Sequence, residues 1–232
     1  MRQREPFGAP AMGGQRGGRV VGVPLTRPAG DTGAADPAVA AALAAYAAGE
    51  ATEHAALTAV ASSRFLVPVV AVLTETNSDG TEKETEMALP TLIGQDGRKA
   101  IIAFTSTDAI TRWRPDARPV PVSAARLWPA VAAEQADAVV VDVAGPVPFV
   151  IEGARLAALA SGEPPPPAHA DPDIRAQVAA VTEDFTLEPG GEHADLTITL
   201  KAADPARARE IAQSIAARLA PRLRRGIAIH LA

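Results

Sequence analysis

Four consecutive prolines at residues 164–167 constrain the fold of this chain more than any other local feature. Proline lacks a backbone N–H and holds φ near −65°, so such a run interrupts helices and strands and favours a semi-rigid spacer. The run therefore predicts a boundary between two folded parts. We expect a Pro-rich linker over 164–172, a domain before it over 36–163, and a small module after it over 173–232.

The N-terminal segment differs from the rest of the chain. Residues 1–33 are rich in Gly, Pro and Arg without apolar periodicity, so they cannot bury enough surface to offset ordering, and we expect a disordered arm. An RGG-like piece around Arg16 is compatible with contact to nucleic acid or to an acidic partner. No aromatic residues are interleaved with it, which favours a solvated tail.

The net charge of −5 is distributed unevenly along the 232 residues. Residues 1–30 carry +4 and residues 201–232 carry +5, which leaves −14 on residues 31–200. A body this acidic argues against nucleic-acid binding, which needs a basic face to displace counterions. We therefore expect a protein partner or self-association, with no nucleic acid and no obvious small-molecule substrate.

Cysteine is absent, which excludes disulfides, thiolate metal sites and cysteine nucleophiles and is compatible with a reducing compartment. The N-terminus lacks the apolar core of a signal peptide, and the apolar run over 65–73 is interrupted by Pro68 and too short to cross a membrane. We expect a cytoplasmic protein without membrane association. The 19 arginines against 3 lysines, with abundant alanine, indicate a high-G+C bacterial genome.

The patterns over 36–163 predict the order ααβββαβαββα. Asp36 followed by Pro37 is typical of a helix start, and Asp-Gly at 96–97 between two apolar runs predicts a hairpin. After the linker we expect a helix, two strands, a long helix from Asp204 to Gly226, and a final strand over 227–231. The predicted fold class is α+β: a mixed sheet with an antiparallel meander and flanking helices, plus a small C-terminal α/β module.

Motifs for catalysis are missing. There is no GxGxxG, no P-loop and no GxSxG, and the histidines form no HxxxH or HExxH pair. We therefore assign no catalytic, cofactor-binding or metal residue, expect no cofactor, and expect a protein that is not an enzyme. The four histidines lie on different predicted elements: His54, His169, His193 and His230.

The acidic segment over 74–86 partly matches the EF-hand calcium pattern at positions 1, 3, 5, 6 and 12. Glu at position 1, Glu82 at position 8 and flanks that look like strands all depart from that pattern. A solvated hairpin loop is favoured, and calcium binding stays open. The matching residues are Glu75, Asn77, Asp79, Gly80 and Glu86.

Four arginines crowd the end of the long C-terminal helix that we predict: Arg218, Arg222, Arg224 and Arg225. Cations there complement the helix dipole by about 0.3–1 kcal/mol each, which is the ordinary structural explanation. The alternative is contact with an anion or an acidic protein, including the acidic body of the same chain or of a second copy. These four are our candidate interaction residues, and the acidic loop over 74–86 is a second candidate surface.

Several short segments in order along 36–163 are similar to one known family: 64–69 (RFLVPV), Leu89-Pro90, 103–106 (AFTS), 120–123 (VPVS) and 138–151 (AVVVDVAGPVPFVI). Together they resemble the N-terminal domain of the SseB (enhanced serine sensitivity protein B) family. Members often show Asn-Pro where this chain has 142–145 (DVAG). The resemblance implies a poorly characterised family without established catalytic residues, so no functional residue is carried over.

Three functions follow as hypotheses. The leading one is a non-catalytic SseB-like binding or regulatory protein that acts through protein–protein contacts. The alternative is an enzyme or small-ligand binder whose site lies in an inter-domain cleft and gathers Asp142, an arginine and a histidine. The third is a scaffold that self-associates through the C-terminal module.

Overall fold

A computed structural model of the chain describes residues 17–19, 31–71, 87–94, 96–201 and 204–232. It confirms the α+β class, and from the first helix to the fifth the elements follow the predicted order. The acidic loop over 74–86 and most of the arm over 1–33 lie outside the described residues, so the calcium and disorder predictions stay predictions. Within that arm, Gly17–Arg19 forms a short strand that was not predicted.

The described helices are α1 (Pro37–Ala47), α2 (Glu53–Ala61), α3 (Thr107–Trp113), α4 (Ala124–Ala133), α5 (Gly153–Ala160), α6 (Pro172–Ala179) and α7 (Pro205–Leu219). The strands are β1 (Gly17–Arg19), β2 (Arg64–Ala71), β3 (Met87–Ile93), β4 (Lys99–Ala103), β5 (Arg118–Ser123), β6 (Ala138–Val141), β7 (Phe149–Glu152), β8 (Phe185–Pro189), β9 (Leu196–Leu200) and β10 (Ile227–Leu231). None of the described helices is long and apolar enough to span a membrane.

The chain divides into two compact units whose residue ranges differ from the predicted domains. Unit 1 comprises 1–35 and 64–152, and unit 2 comprises 36–63 and 153–232. The helices α1 and α2 thus group with the C-terminal part of the chain, because their contacts are made there: the Tyr46 hydroxyl, for example, donates to the carbonyl of Arg222 at 2.9 Å.

Unit 1 is built on a sheet in the order β5-β2-β3-β4-β6-β7, with β1 beside β3. The antiparallel pairs β2–β3 and β3–β4 confirm the predicted meander. The strands β4 and β6 are parallel, so their carboxyl ends meet at one edge of the sheet. Both are buried along nearly their whole length, which is why β6 reads as the continuous apolar run AVVV.

Aromatic side chains pack in the core of unit 1. The rings of Phe65 and Trp128 meet edge to face with centroids 5.4 Å apart, and Phe104 contacts Trp113 at 5.6 Å. Ser106 caps α3 by accepting a hydrogen bond from the Ala109 N–H at 3.2 Å, as expected for the polar residues before this helix.

Unit 2 contains a three-stranded sheet in the order β10-β9-β8. The strands β9 and β10 are parallel and joined through α7, which confirms the predicted β-α-β connection. In β9, buried residues alternate with half-buried ones, so one face of the sheet packs on the helices. Apolar residues of α6, α7 and the sheet form one core that includes Ile198, Ile215 and Leu219.

Two details of unit 2 differ from the sequence-based expectations. The helix α7 ends at Leu219 and not at Gly226, because Pro221 lacks the N–H that the next helical hydrogen bond needs. The segment predicted as a linker contains a 3₁₀ turn at Ala168–Ala170 that contacts α6, β8 and β9. Asp171, at the end of that segment, is only 1% exposed and caps α6.

Candidate functional site

The four arginines proposed from the sequence occupy different environments. Arg218 lies in the last turn of α7 and is exposed, so the helix-dipole explanation fits it. The other three follow the helix, in the turns before β10. Arg224 is exposed, and its guanidinium carbon lies 5.9 Å from the centre of the Tyr46 ring.

Arg222 points inward and binds two carboxylates. Its Nε lies 3.0 Å and its Nη2 2.7 Å from Oε2 of Glu53, and Nη2 also pairs with Oδ2 of Asp171. The side chain of Arg222 is 14% exposed, and those of Glu53 and Asp171 are 7% and 0% exposed. Arg222 is therefore bound inside unit 2, and its guanidinium is committed to these two carboxylates.

A second arginine completes this cluster. Nη1 of Arg155, on α5, lies 2.5 Å from Oε1 of Glu53, so two arginines face two carboxylates and the formal charges cancel. Burial alone would lower the pKa of Arg222, but the hydrogen bonds and charges of Glu53 and Asp171 outweigh it and raise that pKa. The cluster ties α2, α5, the start of α6 and the turn after α7 together through paired charges.

Arg225 borders a cavity of about 300 Å³ within unit 2. Its backbone N–H donates to Oδ2 of Asp195 at 2.9 Å, and its Nη2 donates to the carbonyl of Glu192. The cavity wall is formed by the start of α2, the segment before α6, and the turn between β8 and β9. Its polar and titratable lining residues are Thr52, Glu53, His54, His169, Asp195 and Arg225.

Two polar atoms in the wall of this cavity are buried without a hydrogen-bond partner among the described residues: Oδ1 of Asp195 and Nδ1 of His54. Burial raises the pKa of Asp195; the N–H and charge of Arg225 oppose that shift, and the charge of Glu53 adds to it. The wall therefore holds a carboxylate whose negative charge is incompletely compensated.

His54 and His169 border the same cavity although 115 positions separate them in the sequence. Sequence patterns alone placed them on unrelated elements. Within the described part of the chain, no group of three or more His, Asp or Glu side chains is arranged to hold a metal ion.

Asp142 lies in unit 1, at the carboxyl end of β6. Its oxygens accept hydrogen bonds from the Thr105 N–H at 2.8 Å and from the Thr105 hydroxyl at 2.6 Å. It is 3% exposed and has φ of 52°, the left-handed region that non-glycine residues rarely adopt. Asp142 thus links the ends of two parallel strands, and both of its carboxylate oxygens accept from Thr105.

The edges of the two sheets differ in how they resist pairing with another strand. Proteins usually protect such edges with proline, charge or short length. The edge strand β5 contains two prolines, β7 has four residues and ends in Glu152, and β8 ends in Glu188-Pro189. The five residues of β10, IAIHL, include no proline and no Lys, Arg, Asp or Glu side chain.

Sequence reasoning did not find Glu53, Arg155, Asp171 or Asp195. Local signals exist for two of them, since Asp171 precedes a proline at a helix start and Glu53 follows a capping threonine. No local pattern indicates which residues they meet, because the paired residues are 30 to 169 positions apart.

The chain is similar to known proteins at the level of one family model. No curated protein and no solved structure matches the chain. The family model for the SseB protein N-terminal domain matches residues 39–158, slightly more than half of the sequence. This match includes the segments in which the sequence resembled that family. The chain therefore belongs to the SseB family.

Proposed function

We propose that this SseB-family chain is a non-catalytic cytoplasmic binding protein that acts through protein–protein contacts, and that β10 makes the contact by accepting a further strand. The observation that carries the proposal is the unprotected edge of β10. Among the described sheet edges, β5, β7 and β8 carry proline, charge or short length, whereas β10 carries an apolar sequence of ordinary strand length.

The exposure pattern of β10 supports this proposal. Within the described residues β10 pairs only with β9, so its other side has backbone groups available to a further strand. Leu231 is 56% exposed, which is unusual for a large apolar side chain in a strand. Strand addition would satisfy the backbone groups and cover this side chain at once.

The test compares Leu231→Pro with Leu231→Ala in the full chain. Proline removes the N–H at this position, whereas alanine shortens the side chain and keeps the N–H. The three chains are immobilised and exposed to an extract of the source cells, and retained proteins are then purified and titrated individually. We expect a partner that binds wild type and Leu231→Ala but binds Leu231→Pro at least tenfold more weakly. A partner that does not distinguish the two variants would contradict β10 as the contact.

We propose small-ligand binding in the cavity of unit 2 as a second candidate function. Its volume of about 300 Å³ is at the lower end of the roughly 300–1,000 Å³ range of ligand pockets. The incompletely compensated Asp195 carboxylate favours a ligand that carries a positive hydrogen-bond donor, such as a primary ammonium group. Because Oδ1 of Asp195 is covered, such a ligand reaches it when the turn between β8 and β9 shifts.

Calorimetric titration with 1,4-diaminobutane tests this second function, with 1,4-butanediol as the uncharged control. We expect binding of the diamine only, and a loss of at least tenfold in affinity for Asp195→Asn. The exposed Asp184, also in unit 2, provides the matched control Asp184→Asn, which should leave binding unchanged. Equal heats for the diamine and the diol would refute an ammonium site.

A further inference from the structure

We propose that the strand added to β10 is β10 of a second copy of this chain, running antiparallel and centred on Ile229. The inference rests on the proposed function and specifies its partner. It follows from three properties of the edge: which backbone groups face outward, which side chains share a face, and how both patterns behave under a twofold rotation.

The hydrogen bonds to β9 identify the outward backbone groups. The carbonyl of Gly226 accepts from Asp195 at 2.9 Å, and the Ala232 N–H donates to the carbonyl of Leu200 at 3.0 Å. Since successive residues of a strand direct their N–H and C=O groups to alternate sides, the even-numbered residues bond to β9. The N–H and C=O groups of the odd-numbered residues, Ile227, Ile229 and Leu231, therefore face the open edge.

These outward residues are symmetric about Ile229. In an antiparallel pair centred there, Ile229 opposes itself and Ile227 opposes Leu231 of the partner subunit. Each opposed pair of outward residues exchanges two hydrogen bonds, so this register forms about six. A register shifted by two residues opposes Ile227 with Ile229 and leaves Leu231 without a partner, which makes the centred register the most complete.

The side chains have the same symmetry. Ile227 and Ile229 contact the apolar core of unit 2, so Leu231 lies on that face of the sheet as well. The centred register sets Ile227 of the partner subunit beside the exposed Leu231, at the separation of about 5.5 Å typical of opposed residues. On the other face, the small Ala228 opposes the larger His230.

No lysine, arginine or carboxylate side chain lies within β10, so the twofold pair opposes no like charges at neutral pH. Pairing two three-stranded sheets produces a continuous six-stranded sheet, and β10 becomes a central strand. The two β8 strands, which carry the protective Glu188-Pro189, become the outer edges. No further copy can therefore be added by strand pairing, and the assembly is a dimer.

The first experiment measures molar mass against concentration by light scattering. We expect the full chain of 23.8 kDa to reach twice that mass as concentration rises. Leu231→Pro removes two of the six hydrogen bonds and should weaken the dimer at least tenfold. Leu231→Ala keeps them and should weaken it less. Circular dichroism of each variant checks that the monomer is folded.

The second experiment tests the register and uses the absence of cysteine in the native chain. Position 228 opposes position 230 in a non-hydrogen-bonded pair with Cα atoms about 4.5 Å apart, which a disulfide can bridge. Identical positions lie about 8 Å apart, beyond disulfide reach. A mixture of Ala228→Cys and His230→Cys chains should therefore form a cross-linked dimer on oxidation, and neither variant alone should do so.

The outcomes separate this inference from the proposed function. A chain that stays monomeric at millimolar concentration, or a dimer that Leu231→Pro leaves intact, overturns the pairing of β10 with itself. If a different protein then binds wild type and loses affinity for Leu231→Pro, the proposed function stands with another partner. If neither dimer nor such a partner is found, both are overturned.

Discussion

Arg222 and Glu53 are 169 positions apart in the sequence and form a two-pronged ion pair, with the Arg222 Nε and Nη2 both donating to Glu53. The pair joins the turn after α7 to the first turn of α2. Arg155 and Asp171 neutralise the remaining charges of the pair. A buried charge raises the free energy of the folded state unless an opposite charge is paired with it. Removal of any one of these four residues therefore leaves another without one of its partners.

Replacing Arg222 should destabilise unit 2. Arg222→Ala leaves the buried Asp171 carboxylate without its ion pair and should lower the local free energy of unfolding by about 3 kcal/mol. Hydrogen exchange of the α2 and α7 amides measures this value within unit 2. The exposed Arg218→Ala is the control and should change it by less than about 1 kcal/mol. Equal effects of the two variants would contradict a buried cluster.

The pKa of Tyr46, the single tyrosine, depends on the charges around it. Burial and the negative charge of Glu53 raise the pKa of Tyr46, while a hydrogen bond and the positive charge of Arg224 lower it. Ultraviolet titration should therefore give a midpoint above the ordinary value of about 10. Arg224→Ala removes the cation that favours tyrosinate, so the midpoint should rise further. Arg218→Ala should leave it where it is in the wild type, and a fall with Arg224→Ala would refute the assignment.

Gly153 and Gly162 both have positive φ but differ in the space around them, so the same substitution can be compared at the two positions. Gly153 has φ of 61°, and a Cβ there would overlap Oδ2 of Asp173, which accepts a hydrogen bond from the Ala154 N–H at 2.7 Å. Gly162 has φ of 75° and open space around it. Gly162→Ala should cost about 1 kcal/mol of stability from backbone strain alone. Gly153→Ala should cost about 2–3 kcal/mol in denaturant unfolding, since it also displaces the cap of α5.

The buried Asp142 carboxyl makes unit 1 sensitive to pH. Burial raises its pKa, although the Thr105 hydrogen bonds and the charge of Arg112 oppose the shift. With the native pKa raised, the stabilisation from protonation is complete below about pH 4 and is lost as pH rises through the native pKa. Asp142→Asn should therefore match the wild type at pH 3 and be more stable at pH 7, since Asn, like Asp, tolerates the positive φ of this position.

Tryptophan fluorescence measures this effect in unit 1, since both tryptophans, Trp113 and Trp128, lie there. Asp142→Ala is the contrasting variant, because it removes both acceptors from Thr105 and should cost about 1–3 kcal/mol at every pH. If Asp142→Asn were less stable than the wild type at pH 7 and equal at pH 3, ionisation of Asp142 would be favourable in the folded state and the assigned direction wrong.

The order of helices and strands could be read from the sequence because it depends on near neighbours. Asp36 and Pro37 begin α1 through a hydrogen bond from the Ala38 N–H to Asp36 at 2.8 Å, within one turn of helix. The apolar run of β6 and the final strand over 227–231 likewise depend on side chains that are adjacent or alternate. Gly226 predicts a later end for α7 than the structure has, because Pro221 already lacks a helical N–H five residues earlier.

The family and the α+β class were thus determined by the sequence alone, through short patterns whose physics acts over a few residues. The tertiary structure decided which of the four C-terminal arginines is bound inward, which histidines share a cavity, and which sheet edge is open. Those outcomes depend on pairs such as Arg222 and Glu53, whose partners are selected by packing across the whole of unit 2. Charge and hydrophobic pattern indicate that a residue needs a partner, and only the folded backbone decides which one it finds.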